Sequence, residues 1–293
     1  MASSPSTTSL SPWDRVLLAR HANRPHTLAY IGGLCDEFVE LHGDRAASDD
    51  PAMVGGIGRF RGRTVMIAGH QKGETTRENI QRNFGMPKPQ GYRKALRLMR
   101  QAEKFGMPLI SFIDTPGADP GLASEEHGQA FAIAANVFAM ADLTIPTIAV
   151  VIGEGGSGGA LAIGVADRVL MLENAIYSVA SPEACAAIIW KDSSRAPDAA
   201  AAMRVNAGDL LAFGLIDEVI PENPPAHEDS QTAIATTGDA IERHLIELDE
   251  LFKRGATGER ALLDARYAKY RAMGAWQEAQ AVPTAAGIGR RTR

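Results

Sequence analysis

The sequence predicts a mixed α/β domain, and two features carry that prediction. Short apolar strands alternate with amphipathic helices, and two of the strands run directly into Gly/Pro-rich turns followed by a further helix. Ligands in such domains bind where loops leave the carboxyl ends of strands, so both turns are candidate site elements.

In chain order, residues 1–11 are Ser/Thr-rich and are expected to lack structure. From Leu28 to Leu41, apolar residues at Leu28, Ile31, Leu34, Cys35, Phe38 and Leu41 have the three-and-four spacing of an amphipathic entry helix. Val54–Arg59 and Thr64–Gly69 alternate as two short strands around a turn at Gly62. A helix over Gln90–Phe105 precedes the strand Leu109–Ile113, which breaks at Asp114-Thr115-Pro116-Gly117. A helix from about Glu125 to Ala141 precedes the strand Thr147–Val151, which is expected to turn over residues 153–159, Gly-Glu-Gly-Gly-Ser-Gly-Gly. A strand pair (Arg168–Leu172, Ile176–Val179) and a helix opened by Ser181-Pro182-Glu183 follow. The linker Pro221–Ser230 leads to a helical tail from Thr237 to Ala275. One domain over residues 12–278 is expected, with a loose end at 279–293.

Composition narrows the function. Hydrophobic residues make up 45% of the chain and charged residues 22%, as in ordinary globular proteins. The net charge of −5 argues against nucleic acid as the main partner. The two cysteines, Cys35 and Cys185, fall in no zinc-binding pattern, so no metal is expected in this chain. Low cysteine use and an N-terminus without a signal-like apolar run point to the cytoplasm. The apolar run Leu143–Ile152 is about half of the roughly 20 residues that a membrane span needs.

The segment 153–159 is the most informative. Five glycines in seven residues, between a buried strand and a helix, allow close backbone approach to a ligand and leave helix-start N–H groups free to stabilise an oxyanion. A phosphate loop would need Gly-Lys-Ser/Thr, whereas Gly158 is followed by Gly159 and Ala160. The segment also matches the G-x-S-x-G nucleophile elbow with Ser157 at its centre. A triad would need a histidine base, and none lies between residues 128 and 226. The second turn, Asp114 to Gly121, is weak alone, but its similar position suggests that both turns line one crevice. The basic stretch from Lys72 to Lys104 reads either as a solvated face or as an anion or partner site.

Three segments, QKGETTRENIQRNFGMPKPQGYRKALRLMRQAEKF from Gln71, FIDTPGADPG from Phe112 and VIGEGGSGGALAIGVADRV from Val151, closely resemble the α subunits of bacterial acetyl-CoA carboxylase carboxyltransferases. The likeness runs from about Leu28 to Ile220, with support from YSVASPEACAAIIWK and LIDEVIPE. It implies a crotonase-like fold of repeated ββα units with an N-terminal helix and a helical C-terminal tail. The implied reaction is transfer of a carboxyl group from carboxybiotin, borne on a separate carrier protein, to acetyl-CoA, giving malonyl-CoA for fatty acid synthesis. The implied biotin-oxyanion donors are the backbone N–H groups of Gly158, Gly159 and Ala160, with Gly117, Ala118, Gly155, Gly156 and Ser157 around the substrate. Lys72, Arg77, Arg82 and Arg93 are implied to meet CoA phosphate or a partner. The implied partners are a zinc-containing β subunit in an α2β2 assembly, the biotin carboxyl carrier protein and biotin carboxylase; no membrane is expected. Two departures stand out: Glu74 replaces the family's usual Arg, and Asp119 its usual Tyr. The family's N-terminal helical extension is shorter here. Two rival readings are a crotonase-fold serine peptidase using Ser157 and a non-catalytic assembly subunit.

Overall fold

The computed structural model describes residues 10–252 and 256–274. Its frame is an eight-stranded sheet in the order β1-β2-β3-β4-β5-β6-β8, with β7 added beside β5. Strands β1 (Cys35–Glu40), β2 (Met53–Phe60) and β3 (Arg63–His70) are antiparallel. From β3 onward, β4 (Leu109–Thr115), β5 (Thr147–Gly156), β6 (Arg168–Leu172), β7 (Ile176–Ser178) and β8 (Glu218–Ile220) pair in parallel. Every residue of β4 and nearly all of β5 are buried, which is why both read as unbroken apolar runs.

Helices cover the sheet. The strongly amphipathic α4 (Pro89–Lys104) follows α3 (Thr76–Gln81) and lies on β2 and β3, against α6 (Gln129–Asp142). Gly128, at φ 84°, separates α6 from the short α5 (Leu122–Glu126), so the single expected helix is two. α2 (Thr27–Leu34) packs against α11 (Ser230–Phe252), and α12 (Ala256–Ala272) returns along α11 and α6. α7 (Ser157–Leu161) springs directly from β5. α8 (Pro182–Trp190), α9 (Ala196–Met203) and α10 (Ala207–Ala212) follow β7; α9 packs on α1 (Pro12–Ala19) around Val16, Ala19, Ala200 and Val205.

Four expectations are corrected. Ser11 is already ordered: its hydroxyl accepts from the Asp14 N–H while Asp14 accepts from the Ser11 N–H, a reciprocal cap that opens α1. The expected helix Leu28–Leu41 ends at Leu34, because Cys35–Glu40 pair with β2 as an edge strand; sheet pairing overrides a helical spacing that Cys35 and Phe38 match by coincidence. β6 and β7 do not pair with each other; both lie beside β5. β5 also runs through Gly153-Glu154-Gly155-Gly156 rather than turning there, because Gly155 pairs with Thr115 on one side and Tyr177 on the other. The expected loose end at 279–293 lies outside the described residues.

The C-terminal helices belong to the same core. Arg266 on α12 is 2% exposed, forms two 2.8 Å bonds with Asp167 and donates to the carbonyls of Met140, Leu143 and Ile145. Removing one partner of a buried ion pair costs about 3–5 kcal/mol. Arg266→Met should therefore lower the unfolding free energy by about that amount in urea denaturation; a loss under about 1 kcal/mol would mean that α12 is dispensable to the core.

Candidate functional site

The carboxyl ends of β4 and β5 lie side by side, and each carries a buried acid. Asp114 is 2% exposed and Glu154 8%. The Lys72 ammonium, from the segment after β3, sits between them at 2.8 Å from Asp114 Oδ1 and 2.9 Å from Glu154 Oε2. His26 Nδ1 lies 2.6 Å from Asp114 Oδ2, and Arg20 donates to Glu154 (2.7 Å) and to Glu183 at the start of α8 (2.5 Å). The Glu154 N–H donates to Asp114 Oδ1 (3.1 Å), which ties the backbone of β5 to the side chain of β4. Nearby, Arg24 donates to both oxygens of buried Glu222 and to the Ile152 carbonyl. Burial alone would raise the Asp114 pKa, but Lys72 and His26 outweigh it and hold the carboxyl well below the usual range. Burial likewise pulls Lys72 down, and Asp114 and Glu154 more than compensate, so the ammonium stays charged.

On this base the two turns meet. A Cβ on Gly156 would lie 2.1 Å from the Pro116 carbonyl oxygen. One on Gly159 would lie 2.6 Å from the Ala118 nitrogen, 2.7 Å from the Gly117 carbonyl carbon and 2.9 Å from the Tyr92 hydroxyl. No other residue type fits at either position without moving the backbone. Thr115 fixes the opposing turn: its hydroxyl donates to the Gly117 carbonyl (2.6 Å) and accepts from the Gly117 N–H (3.0 Å).

The chain reverses at Ser157, whose φ of 51° lies in the left-handed region that non-glycine residues seldom adopt. α7 starts there with Gly156 as its cap. Ser157, Gly158 and Gly159 are its first three residues, and their N–H groups have no carbonyl one turn back. Ala160 is the first whose N–H can reach the cap carbonyl. Ser157, Gly158 and Gly159 therefore carry the N–H groups that the helix leaves unused, and Ala160 is the first position at which the helix could use one. Beside them opens an apolar cavity of about 660 Å³, lined by Ser157, Gly158, Tyr177, Met203, Phe213 and Tyr270 among others. Among the described residues, no base is hydrogen-bonded to the Ser157 side chain.

The structure brings together Gly117, Ala118, Gly155, Gly156, Ser157, Gly158 and Gly159 as the sequence suggested, and disperses the basic residues. Lys72 is committed to the two buried acids. Arg82 donates to the Pro51 carbonyl (2.8 Å), and Arg93 binds Asp44 (2.8 Å). Fully buried Lys94 binds Asp49 and the Asp50 carbonyl, and Arg97 the Gly43 carbonyl. Much of the basic stretch thus pins the acidic loop 42–50, which the sequence places about fifty residues upstream. Arg77 stays exposed on α3. Asp119 accepts from Asn83 (2.9 Å) and Ser124 (2.5 Å), so the polar replacement for the usual ring has local partners. Glu74 is exposed and contributes its N–H to Glu78. Sequence reasoning missed His26, His70, Glu154 and Tyr92, whose roles depend on strand ends far apart in the chain. No group of three His, Cys, Asp or Glu side chains suited to a metal, and no helix long and apolar enough to cross a membrane, occurs among the described residues.

The family model described as acetyl co-enzyme A carboxylase carboxyltransferase-like matches residues 2–274. Acetyl-coenzyme A carboxylase carboxyl transferase subunit alpha of Synechococcus sp. (strain CC9902) is 54% identical over 274 residues, 92% of this chain and 80% of that protein. The protein of the same name from Anoxybacillus flavithermus is 56% identical over 272 residues, 92% of this chain and 82% of its own. Among solved structures, transcarboxylase 12S superposes with a TM-score of 0.59 at 22% identity, covering 77% of this chain and 44% of that one. One chain of a Pseudomonas malonate decarboxylase hetero-dimer does so with 0.58 at 17% identity, covering 75% of this chain and 86% of its own. The shared architecture is the crotonase-like fold.

Because the Asp114 pKa is depressed, the folded state holds fewer protons than the unfolded chain once the pH falls below the ordinary aspartate value of about 3.9. Its stabilisation is therefore complete above that pH and is lost as the solution becomes more acid. Asp114→Asn should cost about 3 kcal/mol or more at pH 7 in denaturant titration, because it uncouples one partner of a buried pair, and should flatten the loss of stability between about pH 4 and pH 2. A variant with the wild-type acid profile would contradict the assignment.

Proposed function

The chain belongs to the acetyl-CoA carboxylase carboxyltransferase family as an α subunit, and from that premise we propose that its α7 turn is the half of the active site that receives biotin. The observation that carries this reading is the start of α7: two glycine N–H groups, on Gly158 and Gly159, fall in its first turn, unpaired by the helix, and Gly158 lines an apolar cavity with buried Gly159 next to it in the chain. A flat, largely apolar bicycle with one polar urea oxygen fits a cavity of that lining with donors at its rim. The N–H pair and the positive end of the short helix would bind that oxygen as it gains negative charge. Carboxybiotin, delivered on a separate carrier protein, supplies the carboxyl group, and acetyl-CoA is the acceptor that becomes malonyl-CoA.

This chain's own residues orient and exclude. Gly117 and Ala118 wall the crevice opposite Gly156 and Gly159, while Ser157 makes the reversal that aims the donors. Tyr177 and Tyr270 shape the cavity. The described residues contain no biotin-bearing carrier or zinc ribbon, so the reading assigns these to partners: the carrier protein, biotin carboxylase and a zinc-containing β subunit that holds most of the thioester site. Exposed apolar side chains support a docked partner beside the site. Phe131 (86% exposed) and Phe138 (73%) form one stripe on α6, which packs against α7. A surface of this kind is normally covered in an assembly, and an α2β2 arrangement in the cytoplasm would cover it. Arg77 and the free edges of Arg82 and Arg93 are the remaining cations for CoA phosphate or for the β subunit.

The test is malonyl-CoA-dependent carboxylation of free biotin by the chain together with its β subunit. Activity should require both chains and fall at least a hundredfold in Gly159→Val, the scale of losing an oxyanion donor. Activity retained in the variant would overturn the assignment of the donors, and labelling of Ser157 by a fluorophosphonate without any carboxyl transfer would overturn the reading in favour of a serine hydrolase.

A further inference from the structure

The ladder between β4 and β5 is regular up to Ile113 and Val151, then shifts register before it resumes at Thr115 and Gly155. Irregularities of this kind gather next to active sites, where they re-aim the chain. Inside this one the strands are joined by side chains instead. The Lys72 ammonium stands 2.8 Å from Asp114 Oδ1 and 2.9 Å from Glu154 Oε2, with 14% of its side chain exposed. The same Asp114 oxygen accepts the Glu154 N–H (3.1 Å), and a Cβ on Gly153 would lie 2.4 Å from it. Each acid immediately precedes one wall of the crevice: Gly117 follows Asp114 by three residues, and Ser157 follows Glu154 by three.

A strained turn closes over the lysine. Asn83, Phe84 and Gly85 are all left-handed, with φ of 45°, 55° and 73°, whereas such residues normally occur singly. Backbone of this kind is costly and persists only where its surroundings over-determine it. Here a Cβ on Gly85 would lie 2.7 Å from Lys72 Cγ and 3.2 Å from the Asp114 carbonyl oxygen, so the turn rests on the lysine stem and on the end of β4. The Asn83 amide fastens it by donating to the Met86 carbonyl and to Asp119 Oδ1, both at 2.9 Å. Asp119 belongs to the turn that carries Gly117 and Ala118.

We infer that Lys72 is a positioning residue for the donor turn: its ammonium holds the ends of β4 and β5 at one separation, and so sets the width of the crevice between Gly117–Ala118 and Gly158–Gly159. It touches no reacting atom and moves no proton. Donors held in place before negative charge develops need no reorganisation when it does. The other charged and titratable groups around the clamp are His26 on Asp114, Arg20 on Glu154 and His70, whose Nδ1 faces the Asp114 N–H. Glu74, Glu78 and Arg82 share a small pocket with Lys72 on its outer side. The effect on turnover rests on the biotin-side reading above, whereas the clamp on the two turns does not.

The test reads kcat for malonyl-CoA-dependent biotin carboxylation, in the complex with the β subunit, at about pH 6 and about pH 8.5. Lys72→Met leaves two buried carboxylates in one site, where like charges retain a shared proton. That proton spares the spacing at the acid end; as the pH rises, both acids ionise and force the strand ends apart. Relative to wild type, kcat of Lys72→Met should therefore fall about tenfold or more from the lower pH to the higher, with KM for malonyl-CoA unchanged. Adding Asp114→Asn removes the repulsion, because Glu154 keeps Arg20 and the new amide oxygen can still accept the Glu154 N–H. The double variant should recover most of the loss, and its ratio to wild type should not change with pH. A ratio for Lys72→Met that is flat with pH, or a double variant as impaired as the single one at the higher pH, overturns the proposal. If Lys72→Met folds at no pH, the double variant decides. Assembled with kcat within about tenfold of wild type it upholds the proposal; assembled with kcat lost, or itself unable to fold, it overturns it. Independently of carboxyl transfer, ¹H–¹⁵N spectra of the full chain alone should show the Gly117, Gly158 and Gly159 amides moving with pH in Lys72→Met and not in the double variant. Amides that move alike in both overturn the clamp. If the wild-type complex carboxylates no biotin, the biotin-side reading falls, and these amides still judge Lys72.

Discussion

Two carboxylates buried side by side at the ends of adjacent parallel strands constrain everything around them. Unpaired, each would cost several kcal/mol to remove from water. The fold meets that demand by placing Lys72 between Asp114 and Glu154, His26 behind Asp114 and Arg20 behind Glu154. These partners come from three separate stretches: the end of α1, the loop before α2 and the segment after β3. Neutralising the acids therefore fixes those stretches relative to one another, and the turns that follow β4 and β5 inherit the precision. The Glu154 N–H bond to Asp114 passes that order directly into the backbone three residues before Ser157.

The proposed reactive surface is built from main chain, which accounts for its glycine content. Side-chain catalysts tolerate some movement of their backbone, whereas N–H donors have none to spare. The close approaches at Gly156 and Gly159 hold the α7 turn against Gly117 and Ala118, and the left-handed backbone of Ser157 starts the helix that carries the following N–H groups. Ser157 thus has the shape of a nucleophile elbow, with no base hydrogen-bonded to it among the described residues. The same strand, reversal and helix serve either chemistry, and the partners of the serine decide which.

The sequence made the α/β alternation, the glycine-rich donor turn and the crevice between the two turns legible, because each depends on local pattern. The match of the segments around Gln71, Phe112 and Val151 to a known family supplied the chemistry. What stayed hidden depends on long-range pairing. Cys35–Glu40 has helical spacing but becomes an edge strand because β2 is there to pair with it. Gly153–Gly156 looks like a loop but remains strand because β4 and β7 hold it on both sides. Lys72 looks like one cation in a basic patch, and only the fold reveals its two acids; Arg93 and Lys94 likewise find theirs in loop 42–50. Buried His26 and His70 have no local motif, and no periodicity could have marked them.

The most direct test of this account is a crystal structure of the chain with its β subunit and bound biotin. The account predicts the ureido oxygen about 2.7–3.1 Å from the Gly158 and Gly159 nitrogens, the distance expected of oxyanion donors, with the ring in the cavity beside Tyr177 and Lys72 still between Asp114 and Glu154. A thioester carbonyl on those two N–H groups, or biotin bound elsewhere with the α7 turn empty, would contradict it.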